Sequence, residues 1–186
     1  MRIISGEHKG KRILAPKKLP VRPTTDMAKE ALFNILNNRY YFKDVSVLDL
    51  FSGTGNISYE FASRGSKPIY AIDTNSNCIK FISRMARELK FNITPIKADV
   101  LVYLKKSDIK VDIIFADPPY NMPLNDFEKI PQLVFNNDLL TENGILVIEH
   151  SKHMNLSQSI HFSDSRKYGG SIFSFFDPST GGQDRE

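Results

Sequence analysis

The chain has 186 residues, 41% of them hydrophobic and 25% charged, which is enough for one sizeable core and too little for two ordinary domains. Apolar runs such as Ile113 to Ala116 and Ile145 to Ile148 fall far short of the roughly 18 residues of a membrane helix. Glu7, His8, Lys9 and Lys11 interrupt the N-terminus before a signal peptide's apolar run can form, so a cytoplasmic protein with no membrane partner is expected.

Charge is placed unevenly. Residues 1–22 carry Arg2, Lys9, Lys11, Arg12, Lys17, Lys18 and Arg22 against Glu7 alone, a net +6 within a chain whose total is +4. Residues 1–23 therefore read as a basic arm, a short β-hairpin suited to a phosphate backbone. Next, Thr25 caps a helix with Asp26 at its positive end; Met27, Ala28, Ala31, Leu32, Ile35 and Leu36 form its apolar stripe. From Val45 the sequence alternates β-branched runs with amphipathic stretches, the pattern of βαβ units. Strands are expected over Val45 to Phe51, Pro68 to Ile72, Ile93 to Ala98, Val111 to Ala116 and Gly144 to Glu149. Helices are expected over Asn56 to Arg64, from Ser76 as N-cap with Ile79, Ile82, Met85, Ala86 and Leu89 inward, and over Phe127 to Phe135. Ile160 to Ser165 and Ser171 to Phe176, joined through Lys167 to Gly170, read as an antiparallel hairpin, and residues 177–186 as a flexible tail. The expected fold class is α/β: a Rossmann-like, doubly wound, mostly parallel seven-stranded sheet with a C-terminal antiparallel hairpin and a basic N-terminal extension. One domain spans 24–176.

Each of the first four strands delivers an aspartate at or near its end: Asp49, Asp73, Asp99 and Asp117. In an open parallel sheet the ligand crevice lies outside those ends, so the four are expected to line one cleft. Asp49 opens the loop Asp49-Leu50-Phe51-Ser52-Gly53-Thr54-Gly55, whose glycines permit a tight turn and close approach of a ligand. Three absences narrow the ligand. Ser58 stands at the third position of G-x-G-x-x-G, no GK[ST] follows, and no Lys or Arg lies between Asp49 and Ser63. A pyrophosphate would meet a carboxylate and no cation, whereas S-adenosylmethionine, with an ammonium, a sulfonium and no phosphate, fits. Asp73 would grip its ribose diol, and Asp99 would lie at the adenine amine.

Asp117-Pro118-Pro119-Tyr120 is the sharpest motif. Two prolines stiffen the chain and remove two donors, leaving the Asp117 carboxylate and the Pro118 carbonyl as fixed acceptors for a planar amine, with Tyr120 as a stacking face. His8, His150, His153 and His161 lack metal-ligand spacing, so no metal is expected. Cys78, the only cysteine, excludes an intramolecular disulfide and sits in a helix away from Asp117, against a cysteine nucleophile. Glu149 and His150 end the fifth strand at the crevice edge without an assigned role.

On these residues the chain resembles class I S-adenosylmethionine-dependent methyltransferases, with Asp117 to Tyr120 matching the [DNS]PP[YF] motif of amino-group methyltransferases. More closely it resembles the RsmD family, which methylates the N2 amine of a guanine in bacterial 16S ribosomal RNA. Arg22-Pro23-Thr24, the Glu30 to Leu36 helix EALFNIL, Asp49-Leu50-Phe51, Ser63-Arg64-Gly65 and Tyr168-Gly169 stand in that family's order. Ser52, Asn56 and Ser58 depart from its commoner small-residue loop, and Asp73 stands where glutamate is usual. The resemblance implies catalysis by Asp117, Pro118 and Tyr120. Cofactor binding falls to Asp49, Phe51, Ser52, Gly53, Thr54, Gly55, Asp73 and Asp99, and RNA contacts to Lys9, Lys11, Arg12, Arg22, Thr24 and Pro119. S-adenosylhomocysteine would be the product. The substrate would be 16S RNA within a small subunit or its assembly intermediate, met by a monomer. A DNA adenine-N6 methyltransferase is the rival within the class; a non-catalytic RNA-binding module or a NAD-binding oxidoreductase shares the fold from outside it.

Overall fold

The computed structural model describes residues 1–16, 19 and 24–182. Its sheet runs β3-β2-β1-β4-β5-β7-β6. The strands are β1 (Val47–Leu50), β2 (Ile69–Asp73), β3 (Ile93–Lys97), β4 (Val111–Ala116), β5 (Leu140–Ser151), β6 (Phe162–Tyr168) and β7 (Ser171–Phe176). Pairing from β3 through β5 is parallel, and β7 joins β5 and β6 antiparallel. This is the expected seven-stranded, doubly wound sheet closed by a hairpin.

Helices are α1 (Asp26–Asn37), α2 (Asn56–Ser63), α3 (Ser76–Glu88), α4 (Val100–Lys106) and α5 (Leu124–Asn136). All four residues of β1 are buried because helices cover both sheet faces. Alternation sorts them: Val47, Ile69, Ala71, Ile113 and Phe115 pack on the α1–α2–α3 side. Leu48, Leu50, Ile72, Ile114 and Ala116 pack toward α4 and α5.

Several boundaries differ from expectation. Asn75, not Ser76, caps α3, accepting from the N–H groups of Asn77 at 2.9 Å and Cys78 at 3.4 Å. Helix α4 was not expected; it holds only seven residues and its start signal is Asp99, whose carboxylate accepts from Val102 N at 2.9 Å. Strand β5 begins four residues before Gly144. The expected strand at Ile160 starts later and runs through Tyr168, leaving a two-residue turn at Gly169–Gly170. The polar middle of β6, Ser163 to Lys167, is exposed, as suits a sheet edge, and carries no alternation for a sequence reading to find.

Residues 1–13 double back through an isolated antiparallel bridge between Arg2 and Arg12. Ile3 and Ile13 enter the core, so this stretch packs against the body. Its backbone lies on α2: Ile4 N and Ser5 N donate to the Glu60 carboxylate at 2.8 and 3.0 Å, and Glu7 N donates to Ser63 O at 2.7 Å. Gly6, at φ +83°, touches α2 so closely that a Cβ there would fall 1.8 Å from Ser63 O. Lys17, Lys18, Arg22 and Pro23 lie outside the described residues. In the expected tail, Pro178–Gly182 form a 3-10 turn behind Asp177, which accepts from Arg39; residues 183–186 lie outside the described ones.

Candidate active site

A cavity of about 530 Å³ opens at the carboxyl edge of β1, β2, β4 and β5, a size common for small-ligand sites. One wall is the β1–α2 loop. Phe51 (φ 59°), Gly53 (φ 53°) and Gly55 (φ 83°) all adopt left-handed backbone. For Phe51 this costs about 1–3 kcal/mol, a strain that clusters at functional sites. Gly55 is obligatory, since a Cβ would meet the Tyr59 ring at 2.8 Å and Ile82 at 3.0 Å. The loop is fastened to β2 by Ser52 N donating to Ile72 O at 2.9 Å and Gly53 N donating to Asp73 Oδ2 at 2.8 Å.

Asp49, 2% exposed, accepts from the N–H of Ser58 at 3.1 Å and from its hydroxyl. Burial pushes its carboxyl up to about 7, against the two hydrogen bonds from Ser58 that favour the charged form. Asp73 also accepts from Asn75 N at 2.7 Å; each carboxylate oxygen retains a second lone-pair direction for a ligand hydroxyl. Asp117 follows β4, with its own N–H reaching Leu50 O at 3.4 Å. Pro118 is buried, whereas Pro119 and Tyr120 are exposed, Tyr120 by 61%.

Three of the four strand-end aspartates, Asp49, Asp73 and Asp117, line the cavity. Asp99 does not; it stands exposed as the α4 cap. Phe51, Ser52, Gly53, Thr54, Thr24 and Pro119 also line it, while Gly55 backs the turn. Lys9, Lys11 and Arg12 are exposed on the arm, away from the cavity wall. Arg22 falls outside the described residues.

Residues that sequence reasoning did not assign complete the walls. Asn56 bridges elements: its amide donates to Thr24 O at 3.2 Å and its carbonyl accepts from Lys29 Nζ at 3.0 Å. Glu149, 5% exposed, accepts from the hydroxyls of Thr24 at 2.9 Å and Ser171 at 2.7 Å. Extending the strand-end carboxylate pattern from four strands to the fifth would have singled it out. Met27 and the β6–β7 turn form the mouth. His150 turns away, its ring nitrogens 2.9 Å from Ser151 O and 2.8 Å from Ser174 Oγ, and burial pulls its pKa down. Cys78, in a helix as expected, also lines the cavity, but burial pushes its thiol up to about 11 and makes it a poor nucleophile.

Among the described residues the cavity wall carries Asp49, Asp73, Asp117 and Glu149 and no Lys, Arg or His. These carboxylate acceptors fit the ammonium, sulfonium and ribose hydroxyls of S-adenosylmethionine and repel the pyrophosphate of a dinucleotide.

The family model described as Conserved hypothetical protein 95 matches residues 1–177. The chain is 33% identical over 156 residues to the ribosomal RNA small subunit methyltransferase D of Buchnera aphidicola subsp. Baizongia pistaciae, covering 83% of this chain and 78% of that one. It is 27% identical over 150 residues to the protein of the same name from Escherichia coli strain K12, covering 80% and 74%. A hypothetical protein of Thermus thermophilus shares the fold with a TM-score of 0.82 at 23% identity, over 95% of this chain and 99% of that one. With the model spanning nearly the whole chain and the crevice built as described, the protein belongs to the RsmD family of class I methyltransferases.

Proposed function

We propose that this protein transfers a methyl group from S-adenosylmethionine to the exocyclic N2 amine of a guanine in 16S ribosomal RNA. One observation carries the reading: the Asp117-Pro118-Pro119-Tyr120 turn opens into the same cavity as the glycine loop and its carboxylates, in a wall without a described cation. Relatives named ribosomal RNA small subunit methyltransferase D support the choice of RNA and subunit.

S-adenosylmethionine supplies a methyl group already activated on sulfur. The protein's part is placement and proton handling. Asp49, Asp73 and the Phe51 to Gly55 turn hold the cofactor; Asp99, which caps α4 outside the cavity wall, has no part in this reading. The Asp117 carboxylate and the Pro118 carbonyl accept the two amine N–H bonds, which turns the nitrogen lone pair out of the base plane. Asp117 takes the proton the nitrogen sheds. Tyr120, exposed at the mouth, offers a ring for the base to stack on. Lys9, Lys11, Arg12 and Arg22 meet RNA phosphates, and Thr24 and Pro119 flank the base.

The protein acts as a monomer on a small subunit or its assembly intermediate, in the cytoplasm. No helix of the described residues is long and apolar enough to cross a membrane, which agrees with that placement. The test is to supply radiolabelled S-adenosylmethionine with unmodified small subunits, free 16S RNA or duplex DNA, and identify the labelled nucleoside. N2-methylguanosine is expected; N6-methyladenine, or no label with any substrate, overturns the reading.

A further inference from the structure

Asp117, just past the end of β4, lies beside Glu149 of the neighbouring β5. Ala116 pairs with Ile148 in the parallel β4–β5 register, so the next residue on each strand is one of these two carboxylates, on strands about 4.8 Å apart. Both line the cavity. Glu149 is buried and oriented from two sides, by the Thr24 hydroxyl on Oε2 and the Ser171 hydroxyl on Oε1. A side chain held this way presents fixed acceptors beside the one that receives the amine.

Guanine offers matching chemistry. On its Watson–Crick edge the N2 amine and the N1–H are neighbouring donors, whereas adenine presents a lone pair at N1. We infer that Glu149 is the specificity-determining residue of the base site, accepting the guanine N1–H while Asp117 accepts from N2. This rests on the guanine-N2 reading above and assigns the recognition step within it. A carboxylate facing the N1 lone pair of adenine places two acceptors together in a buried site, and such mispairing is what lets hydrogen-bonding sites reject near-isosteres strongly.

A purely structural Glu149, serving to hold neighbours such as Thr24 and Ser171, would not move the choice of base. The experiment therefore reads a ratio. Small subunits are reconstituted with 16S RNA carrying guanine or 2-aminopurine at the methylated position; 2-aminopurine keeps the 2-amine and replaces N1–H by a lone pair. The wild-type protein is expected to show kcat/KM at least about 100-fold higher for guanine. Glu149→Gln, whose amide can donate to that lone pair, should shrink the ratio at least about tenfold in protein shown by its thermal unfolding to be folded and by calorimetry to bind S-adenosylmethionine. A wild type that methylates both bases equally overturns the inference without any variant. An unchanged ratio in a folded Glu149→Gln overturns it while the guanine reading stands. Absence of N2-methylguanosine from wild-type reactions removes both.

Discussion

In the proposed mechanism Asp117 takes the amine's proton, and its neighbours define what removing it would do. Asp49 and Asp73, proposed to hold the cofactor, are fastened to the glycine loop and α2 by hydrogen bonds that do not involve Asp117. Asp117→Ala should therefore keep S-adenosylmethionine affinity and lose methyl transfer. A charge-assisted hydrogen bond at a reacting centre is worth about 2–4 kcal/mol, or roughly 30-fold to 1,000-fold in single-turnover rate; near-normal transfer would refute its role. Asp49 carries a separate, titrating signal. With its carboxyl raised to about 7, the empty site holds a neutral acid over much of the range below neutrality. The cations of S-adenosylmethionine favour the charged form, so binding should release a proton. Affinity should rise by up to about tenfold per pH unit from about pH 5 to 7 and level off above, and Asp49→Asn should remove the slope. Stability of the empty protein runs the other way. The folded state keeps this proton up to about 7, whereas the unfolded chain loses it near 3.8. The folded state binds more protons between those values, so stability declines as pH rises through that window. Calorimetric titrations across pH, with urea unfolding of the empty protein, check both.

At the scale of elements, the least legible feature is the joint among α1, α2 and the first thirteen residues. Lys29 and Glu60 are both fully buried and 3.2 Å apart. Burial draws the Lys29 ammonium below its ordinary value, against the pull of Glu60. Lys29 Nζ also donates to Arg2 O at 2.6 Å, and Glu60 receives Ile4 N, Ser5 N and Arg64. Removing Glu60 leaves the buried Lys29 ammonium without its counter-ion, a loss of about 3–5 kcal/mol, whereas removing Lys29 leaves Glu60 still paired with Arg64. Glu60→Leu should be the worse of the two because it also orphans two backbone N–H groups of the arm. For the same reason Lys29→Met/Glu60→Leu should not recover stability, unlike ion pairs replaced where no third group depends on them. Urea unfolding with proteolysis of residues 1–13 measures both; full recovery in the double variant would contradict this account. The sequence reading leaves Lys29 out of the apolar stripe, because periodicity knows only the helix's own faces. The charge is buried by a segment more than twenty residues away in sequence. Strands β1, β2 and β4 were legible because burial on both faces writes a continuous apolar run; α4, short and capped by an aspartate read as a ligand, was not.

Over the whole molecule, the site's position was legible and its pairings were not. Strand-end carboxylates announce a crevice wherever parallel strands are ordered, but that Asp117 borders Glu149 follows from β4 lying between β1 and β5, at the point where the chain crosses over from winding one way to the other. Charge separates along the same axis. The crevice wall is acidic among the described residues, whereas Lys9, Lys11 and Arg12 stand exposed on the doubled-back arm. That arm is tied toward the crevice side by Arg2, whose Nε lies 3.1 Å from Asp26 at the start of α1, two residues from Thr24 in the wall. The turn that carries Lys9 packs on Ser63, at the far end of α2, so an RNA backbone held along the arm would keep its phosphates outside the acidic cavity. Replacing Lys9, Lys11 and Arg12 together by glutamine removes three phosphate-neutralising charges without touching Ile3 or Ile13, which anchor the arm in the core. The salt dependence of RNA affinity should flatten by about 2 to 3 units of log–log slope, while S-adenosylmethionine affinity and the unfolding midpoint stay near wild type. Filter binding of 16S RNA across salt concentrations gives the slope, and an unchanged slope would mean that these side chains meet solvent and not phosphate.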